Sequence, residues 1–307
     1  MRSESDGHLA ATSYPGLAVL EAQRTGSLRP LVASVANRYH PEVGAFLAHA
    51  EQVREQTGWS RSFTQRRVER ICAGDGGFEL DGEGLFAHVL IATGHPGLAR
   101  PSEHPGAVHA YEPHPYASRV AIVGAGMAAA TEWLNALAAG SEVVSIRRRE
   151  PVRRPLNVPR PLFSKRGLSA YHSLSDERRA ATLRELSNAS YPPGAAWDEP
   201  LAQAEREGRF RVQAAPNGAE QVICATGFKR GFEHDPLLAR LVADHELKTF
   251  GRWIVLSPDS TIPTLTDERR TLSLAGVAAQ WAFPAADTIA GAKYAARGFL
   301  RRVCRTR

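Results

Sequence analysis

The chain has 307 residues, 43% of them apolar and 23% charged, which is enough for two modest domains with cores of their own and excludes a disordered chain. The net charge of +6 comes from scattered arginines and a basic end, Arg301 to Arg307. With no nucleic-acid motif and no basic patch interleaved with aromatics, that end reads as a solvated tail. Cys72, Cys224 and Cys304 stand far apart with no C-x-x-C, which excludes a zinc ribbon and a dithiol redox pair and fits a reducing cytoplasm.

No apolar run approaches membrane-span length, and the N-terminus lacks a signal-peptide core. Residues 1 to 40 show little periodicity beyond a turn at Ser13-Tyr14-Pro15-Gly16. Pro41 to Thr57 predicts a helix: Pro41 suits its first turn, Val43, Phe46, Leu47 and Val53 recur at helical spacing, and Gly58 ends it. Three short strands follow, Val68–Cys72, Phe78–Leu80 and Phe86–Ile91, separated by the hairpin signals Asp75-Gly76 and Asp81-Gly82. The third closes on Ala92-Thr93-Gly94-His95. Pro96 to Tyr116 reads as a linker. The spacing of its neighbourhood histidines, His95, His104, His109 and His114, matches no common ligand pattern, and a loop location points to solvated side chains.

Val120 to Val123 is then a strand buried on both faces. Gly124, Gly126 and Ala129 follow it as G-x-G-x-x-A, the position a dinucleotide fold requires. The first glycine permits the tight turn, the second lets backbone approach a pyrophosphate, and the small third residue lets helix and strand pack closely. The helix from Met127 and Ala128 to about Ala139 would hold the pyrophosphate on its N-terminal amides, with Gly140 as C-cap. A second strand, Glu142 to Ile146, ends where the ribose-specificity residue belongs. Arg147, Arg148 and Arg149 stand there in place of a carboxylate, which favours a 2′-phosphate and hence NADPH.

A proline-rich polar segment covers 151–161. Phe163 to His172, with Lys165, Arg166, Tyr171 and His172, reads either as a contact to NADPH or substrate or as a plain surface loop. Ser175 caps a helix reaching about Leu186, and Trp197 to Glu207 fits another. Phe210–Gln213 and Gln221–Cys224 are strands about Asn217-Gly218, and the second closes on Ala225-Thr226-Gly227-Phe228. A last strand, Leu272–Leu274, leads through a loop to a helix entered at Pro284 or Ala285. Trp281 and Phe283 either wall a cofactor or fill core. Cys72 and Cys224, in strands, read as buried and inert.

These pieces resemble the two-dinucleotide-binding flavoprotein superfamily, and most closely its FAD- and NADPH-dependent monooxygenases: flavin-containing monooxygenases, Baeyer–Villiger enzymes and amino-acid N-hydroxylases. The resemblance covers about residues 65 to 300. It rests on two A-T-G strand ends, Thr93-Gly94 and Thr226-Gly227, on either side of the G-x-G-x-x-A unit, and on the aromatic Phe228 after the second. It implies an α/β fold with two Rossmann-like domains. Residues 1–117 would begin the FAD-binding domain, 118–226 form the NADPH domain, and 227–307 return to the FAD domain with a C-terminal helix. Gly276, Pro284, Ala286 and Asp287 occupy the place of the family's flavin-facing motif.

Two departures stand out. Nothing before Arg119 supplies the first G-x-G-x-x-G, since Gly74-Asp75-Gly76-Gly77 sits in a hairpin turn. The FAD domain is thus expected to be incomplete at its N-terminus as well as discontinuous, either because an upstream segment is absent, to be supplied by that segment or a partner chain, or because the FAD half is degenerate, with a homo-oligomer also open. Gly106 to Tyr111 stands in place of the F-x-G-x-x-x-H-x-x-x-Y fingerprint with altered spacing. The resemblance implies a cytoplasmic FAD/NADPH oxidoreductase of monooxygenase type, passing a hydride from NADPH to flavin and then oxygen to a small substrate. A flavoprotein reductase without oxygenation and a non-catalytic NADP(H)-binding remnant are the alternatives.

Overall fold

A computed structural model describes residues 15–35, 43–154 and 158–304. The chain divides into two compact units, residues 1–69 and 70–307. Among the described residues the first holds four helices, α1 (Pro15–Thr25), α2 (Arg29–Val35), α3 (Val43–Gln56) and α4 (Trp59–Ser62). Leu17 and Ala18 are its buried centre, with Leu31, Ala33 and Phe46 packed on them. Of the expected turn, Ser13 and Tyr14 lie outside the described residues, and Pro15 and Gly16 open α1 instead, proline being suited to a first helical turn. Pro41 also lies outside the described residues. The helix it was to begin is present as α3, although its Leu47 and Val53 are exposed.

The second unit begins with β1 (Ile71–Gly74), β2 (Gly77–Leu80), β3 (Leu85–Phe86) and β4 (His88–Ile91). The single third strand expected over Phe86–Ile91 is therefore two. β3 closes an antiparallel meander on β2, whereas β4 leaves that sheet after Ala87 and pairs in parallel with a strand far along the chain. Gly77 sits at φ +140°, and a Cβ there would stand 2.6 Å from the Phe86 carbonyl oxygen, so the meander closes only around glycine.

Next come β5 (Val108–His109), β6 (Arg119–Val123), α5 (Met127–Ala138), β7 (Glu142–Ile146), β8 (Val152–Arg153), α6 (Lys165–His172), α7 (Asp176–Leu186), β9 (Ser190–Tyr191), α8 (Ala195–Arg206), β10 (Phe210–Gln213) and β11 (Gln221–Cys224). Five of these strands form an all-parallel sheet in the order β10-β7-β6-β11-β5. Alternate residues of a strand face opposite sides, and the core divides accordingly. Val120, Ile122, Val143 and Ile223 pack with Trp133, Tyr191, Trp197 and Phe210 under α5 and α8. Ala121, Val144 and Ile146 form the smaller core on the other face with Val123, Ala219 and Val222. Trp133 anchors the larger core, making edge-to-face contacts with Tyr191 and Phe210 at centroid distances of 5.8 and 5.6 Å.

The chain ends with α9 (Pro236–Asp244), β12 (Thr249–Phe250), β13 (Trp253–Ile254), β14 (Thr271–Leu274) and α10 (Ile289–Val303). β14 is the parallel partner of β4, in register Thr271 with His88 through Leu274 with Ile91. The second parallel sheet is thus built from strands on either side of the first, a discontinuous arrangement. α10 starts later than expected. Its N-cap is Thr288, whose hydroxyl accepts from the Gly291 amide at 3.2 Å, and Pro284 and Ala285 belong to the preceding turns. No helix among the described residues is long and apolar enough to cross a membrane.

Candidate functional site

Two places carry the chemistry-bearing residues. The first is the turn from β6 into α5. Gly124 adopts φ +139°, and a Cβ there would lie 2.5 Å from the Ala225 carbonyl oxygen and 3.4 Å from Ala129 Cβ. Both backbone and packing therefore require glycine at 124 and a small residue at 129. Gly126 differs: its φ is −97°, and an added Cβ would make only ordinary contacts, with Ala189 at 3.8 Å and the Ser190 amide nitrogen at 3.9 Å. No protein atom demands glycine at 126. Gly126 caps α5 with no side-chain hydrogen bond, and Met127 and Ala128 are only half-buried, leaving the first-turn amides accessible.

β7 brings the basic residues beside this turn. The Gly124 amide donates to the Ile146 carbonyl at 2.9 Å, so Arg147 starts one residue beyond a direct hydrogen bond to the turn. The Arg147 guanidinium lies 5.9 Å from the Trp133 ring centroid and pairs with Glu150 at 3.0 Å, while Arg148 and Arg149 are exposed. These groups fit a phosphorylated dinucleotide: amides for a pyrophosphate and guanidinium groups for a further phosphate.

The second place joins the two A-T-G segments, one leaving β4 and one leaving β11. Gly94 and Gly227 have the same left-handed backbone, φ +75° at each, and an added Cβ at either would meet no atom within 4 Å. The segments are bonded to one another. The Ala99 amide donates to the Gly227 carbonyl at 2.9 Å, the Lys229 amide donates to Gly97 at 2.8 Å, and the Thr226 hydroxyl donates to the Ala99 carbonyl. The residues following the two glycines, His95 and Phe228, stack with ring centroids 4.1 Å apart, and Tyr111 packs on Phe228 at 4.8 Å. The Thr93 hydroxyl donates at 2.7 Å to Asp235, whose other oxygen caps α9 by accepting from the amides of Leu237 and Leu238. Desolvation pushes His95 below its ordinary value, with Asp287 opposing the shift and Arg230 adding to it.

Two of the histidines read as solvated are buried. His109 is fully enclosed, its Nδ1 accepting from the Tyr111 amide at 3.3 Å, and desolvation holds it below the usual range. The His114 side chain is 2% exposed, with Nε2 3.2 Å from the buried carboxylate of Glu132 on α5. The same oxygen accepts from the Tyr116 hydroxyl at 2.8 Å. What reads as a linker is thus pinned to the dinucleotide helix from below.

The flavin-side candidates separate. Gly276, at φ +65° with no atom within 4 Å of an added Cβ, leaves backbone open just after β14. Pro284 and Ala286 are buried, and Ala286 packs against Gly291 of α10, so they turn into the protein. Asp287 is exposed and acts electrostatically on His95. Trp281 and Phe283 fill core. Phe163–His172 is no plain loop: Ser164 caps α6, which lays Tyr171 and His172 on the turn after β14. The Tyr171 hydroxyl donates to the Trp281 carbonyl at 3.3 Å, and His172 Nε2 donates to Ala282 at 2.6 Å. Burial pushes Tyr171 up and His172 down. Asp235 and Arg252 were missed, yet Asp235-Pro236 was a readable capping signal.

No family model matches the sequence, and no curated protein matches it. Solved structures do. The chain is similar to the ornithine hydroxylase of Pseudomonas aeruginosa, with a TM-score of 0.60 and 18% identity, covering 93% of this chain and 80% of that one. It is similar to the ornithine N-hydroxylase of Kutzneria sp. 744, described with reduced FAD, NADP+ and L-ornithine, with a TM-score of 0.58, 16% identity and coverage of 93% and 82%. A flavin-containing monooxygenase of Stenotrophomonas maltophilia gives a TM-score of 0.51 and 20% identity over 86% and 78%. The fold is shared with these solved structures, a mixed α/β architecture with parallel sheets.

Proposed function

We propose that the chain is an FAD- and NADPH-dependent oxidoreductase of monooxygenase type acting on a small molecule. The observation that carries this reading is the pair of crossings: two glycines with the same φ of +75°, in segments hydrogen-bonded to one another, on either side of a glycine turn. Such a pairing holds two nucleotide sites in a fixed relation, which hydride transfer between two cofactors needs. Residues 118–226 would take the nicotinamide nucleotide, with Gly124, Gly126 and Met127 to Ala129 at its pyrophosphate and Arg147 and Arg148 at its 2′-phosphate. Residues 1–117 and 227–307 would take the flavin, with the backbones of Gly94 and Gly276 open toward it and Asp287 at its rim. Gly227 would hold the crossing between them. Bound there, the cofactors supply hydride transfer and dioxygen activation, and the chain orients their rings and excludes water.

The similar solved structures, two ornithine hydroxylases and a flavin-containing monooxygenase, support the oxygenating reading over a reductase. The three cysteines are free and in different environments, which supports a reducing cytoplasm and disfavours thiol–disulfide chemistry. The test is direct. Purified protein reconstituted with FAD should show flavin absorbance and oxidise NADPH faster than NADH. Consumption of NADPH should be matched by oxygenated product. NADPH oxidation without product would favour a reductase, and no flavin binding at all would leave only a nucleotide-binding module.

A further inference from the structure

Beside the first crossing lies a pocket whose cationic side the nucleotide reading leaves unused. Three cations line it, Lys229, Arg230 and Arg252, together with the aromatic walls Phe232 and Trp253. Arg252 is the most enclosed of the three. Its guanidinium lies 4.7 Å from the Trp253 ring centroid and donates to the Ser187 hydroxyl at 2.8 Å. It forms no ion pair among the described residues. Desolvation lowers it first, then the like charge of Arg230, with Arg184 adding and Glu233 opposing. The carboxylate of Asp235, also at the pocket, is already engaged by Thr93 and the first turn of α9.

A half-buried guanidinium beside another cation, with the charge of Glu233 acting on it but no carboxylate paired to it, is a costly arrangement that a bound oxyanion relieves. A planar guanidinium fork matches a carboxylate, and the aromatic walls suit a hydrocarbon body. Gly94, Val277, Ala278 and Gln280 close the pocket's other side, and Gly94 and the neighbouring Gly276 are the residues proposed above to face the flavin.

We infer that this pocket is a substrate subsite that binds the carboxylate of a small apolar acid through Arg252, with Arg230 and Lys229 at the rim. The ligand's role as substrate rests on the proposed function; its binding as a carboxylate does not.

The test uses the full chain and four probes: pentanoate, pentylamine, inorganic pyrophosphate and FAD. Pentanoate should raise the melting temperature and perturb tryptophan emission in a saturable way, and pentylamine should not. Arg252→Gln should weaken pentanoate at least tenfold. Arg230→Gln, at the exposed rim and without a packing role, should weaken it severalfold with an unchanged melting temperature. FAD affinity should stay within twofold in both variants. Pentanoate binding equal to wild type in both variants would overturn the assignment. So would loss of FAD or pyrophosphate affinity in variants of a protein that never binds pentanoate, because the anion would then be a cofactor phosphate. If wild type binds pentanoate through Arg252 but takes up no flavin, the oxidoreductase reading fails and the carboxylate site stands.

Discussion

His95 and Phe228 stack nearly parallel, 13° between planes and 4.1 Å between centroids. They occupy equivalent positions, each following the glycine of an A-T-G strand end, so the two halves of the fold meet through one repeated motif touching itself. A double-mutant cycle on His95→Ala and Phe228→Ala should give a coupling of about 0.5–1.5 kcal/mol in chemical denaturation, the range for stacked rings. Strict additivity would mean that the contact is incidental.

Gly124 and Gly126 should separate stability from binding. Gly124→Ala must place a side chain at φ +139° against the Ala225 carbonyl, and should cost about 2–5 kcal/mol in unfolding measurements. Gly126→Ala meets no such obstacle and should stay within about 1 kcal/mol of wild type. It should nevertheless lower NADPH affinity at least tenfold, about 1.4 kcal/mol. A Gly126→Ala variant that binds NADPH normally would remove the pyrophosphate from this turn.

Arg148 should discriminate the nucleotides more than Arg147. Arg147 already pairs with Glu150 and lies over Trp133, whereas Arg148 is exposed at the same strand end. A charged hydrogen bond contributes about 1.5–3 kcal/mol, so Arg148→Ser should cut the NADPH-to-NADH affinity ratio by about 10- to 100-fold in paired titrations. The Arg147,Arg148 double variant should cut it further, and a ratio unmoved in both would show that another group reads the phosphate.

Acid should weaken the fold through its enclosed histidines. Burial lowers His95, His109 and His172 in the folded state. The unfolded chain therefore binds protons first as pH falls below about 6.5. Their contribution is fully present above that pH and is lost as pH drops toward the depressed folded values. His172→Gln keeps a donor for the Ala282 carbonyl without a titrating group, so its melting temperature should fall less steeply between about pH 6.5 and 5. A slope equal to that of wild type would exclude His172 as a contributor.

The dinucleotide turn was legible because its causes are local. An apolar strand, two glycines, a small residue and a helix with a glycine stop each act within a few positions, and Val120 to Gly140 folds as read. The helix capped by Ser175 and the strands 210–213 and 221–224 were legible for the same reason. The break at Ala87 was not, since nothing in Phe86–Ile91 says that one half pairs with β2 and the other with β14. Nor was the burial of His109 and His114, which depends on the segment folding back on itself through Tyr111 and Tyr116 and, for His114, on Glu132 of α5, in a stretch whose prolines read as linker.

Sequence by itself determined the glycine turn from β6 into α5, the basic strand end after Ile146 and the duplication of the A-T-G motif, because strand and helix periodicity, glycine dihedrals and charge are properties of neighbouring residues. Tertiary structure alone decided that the duplicated motifs clasp each other, that Pro284 and Ala286 turn inward while Asp287 stays out, and that Arg252 shares a pocket with Lys229 and Arg230. Those outcomes arise from packing between segments more than a hundred residues apart in several cases, and chain-distant contacts leave no periodic trace in the residues that make them.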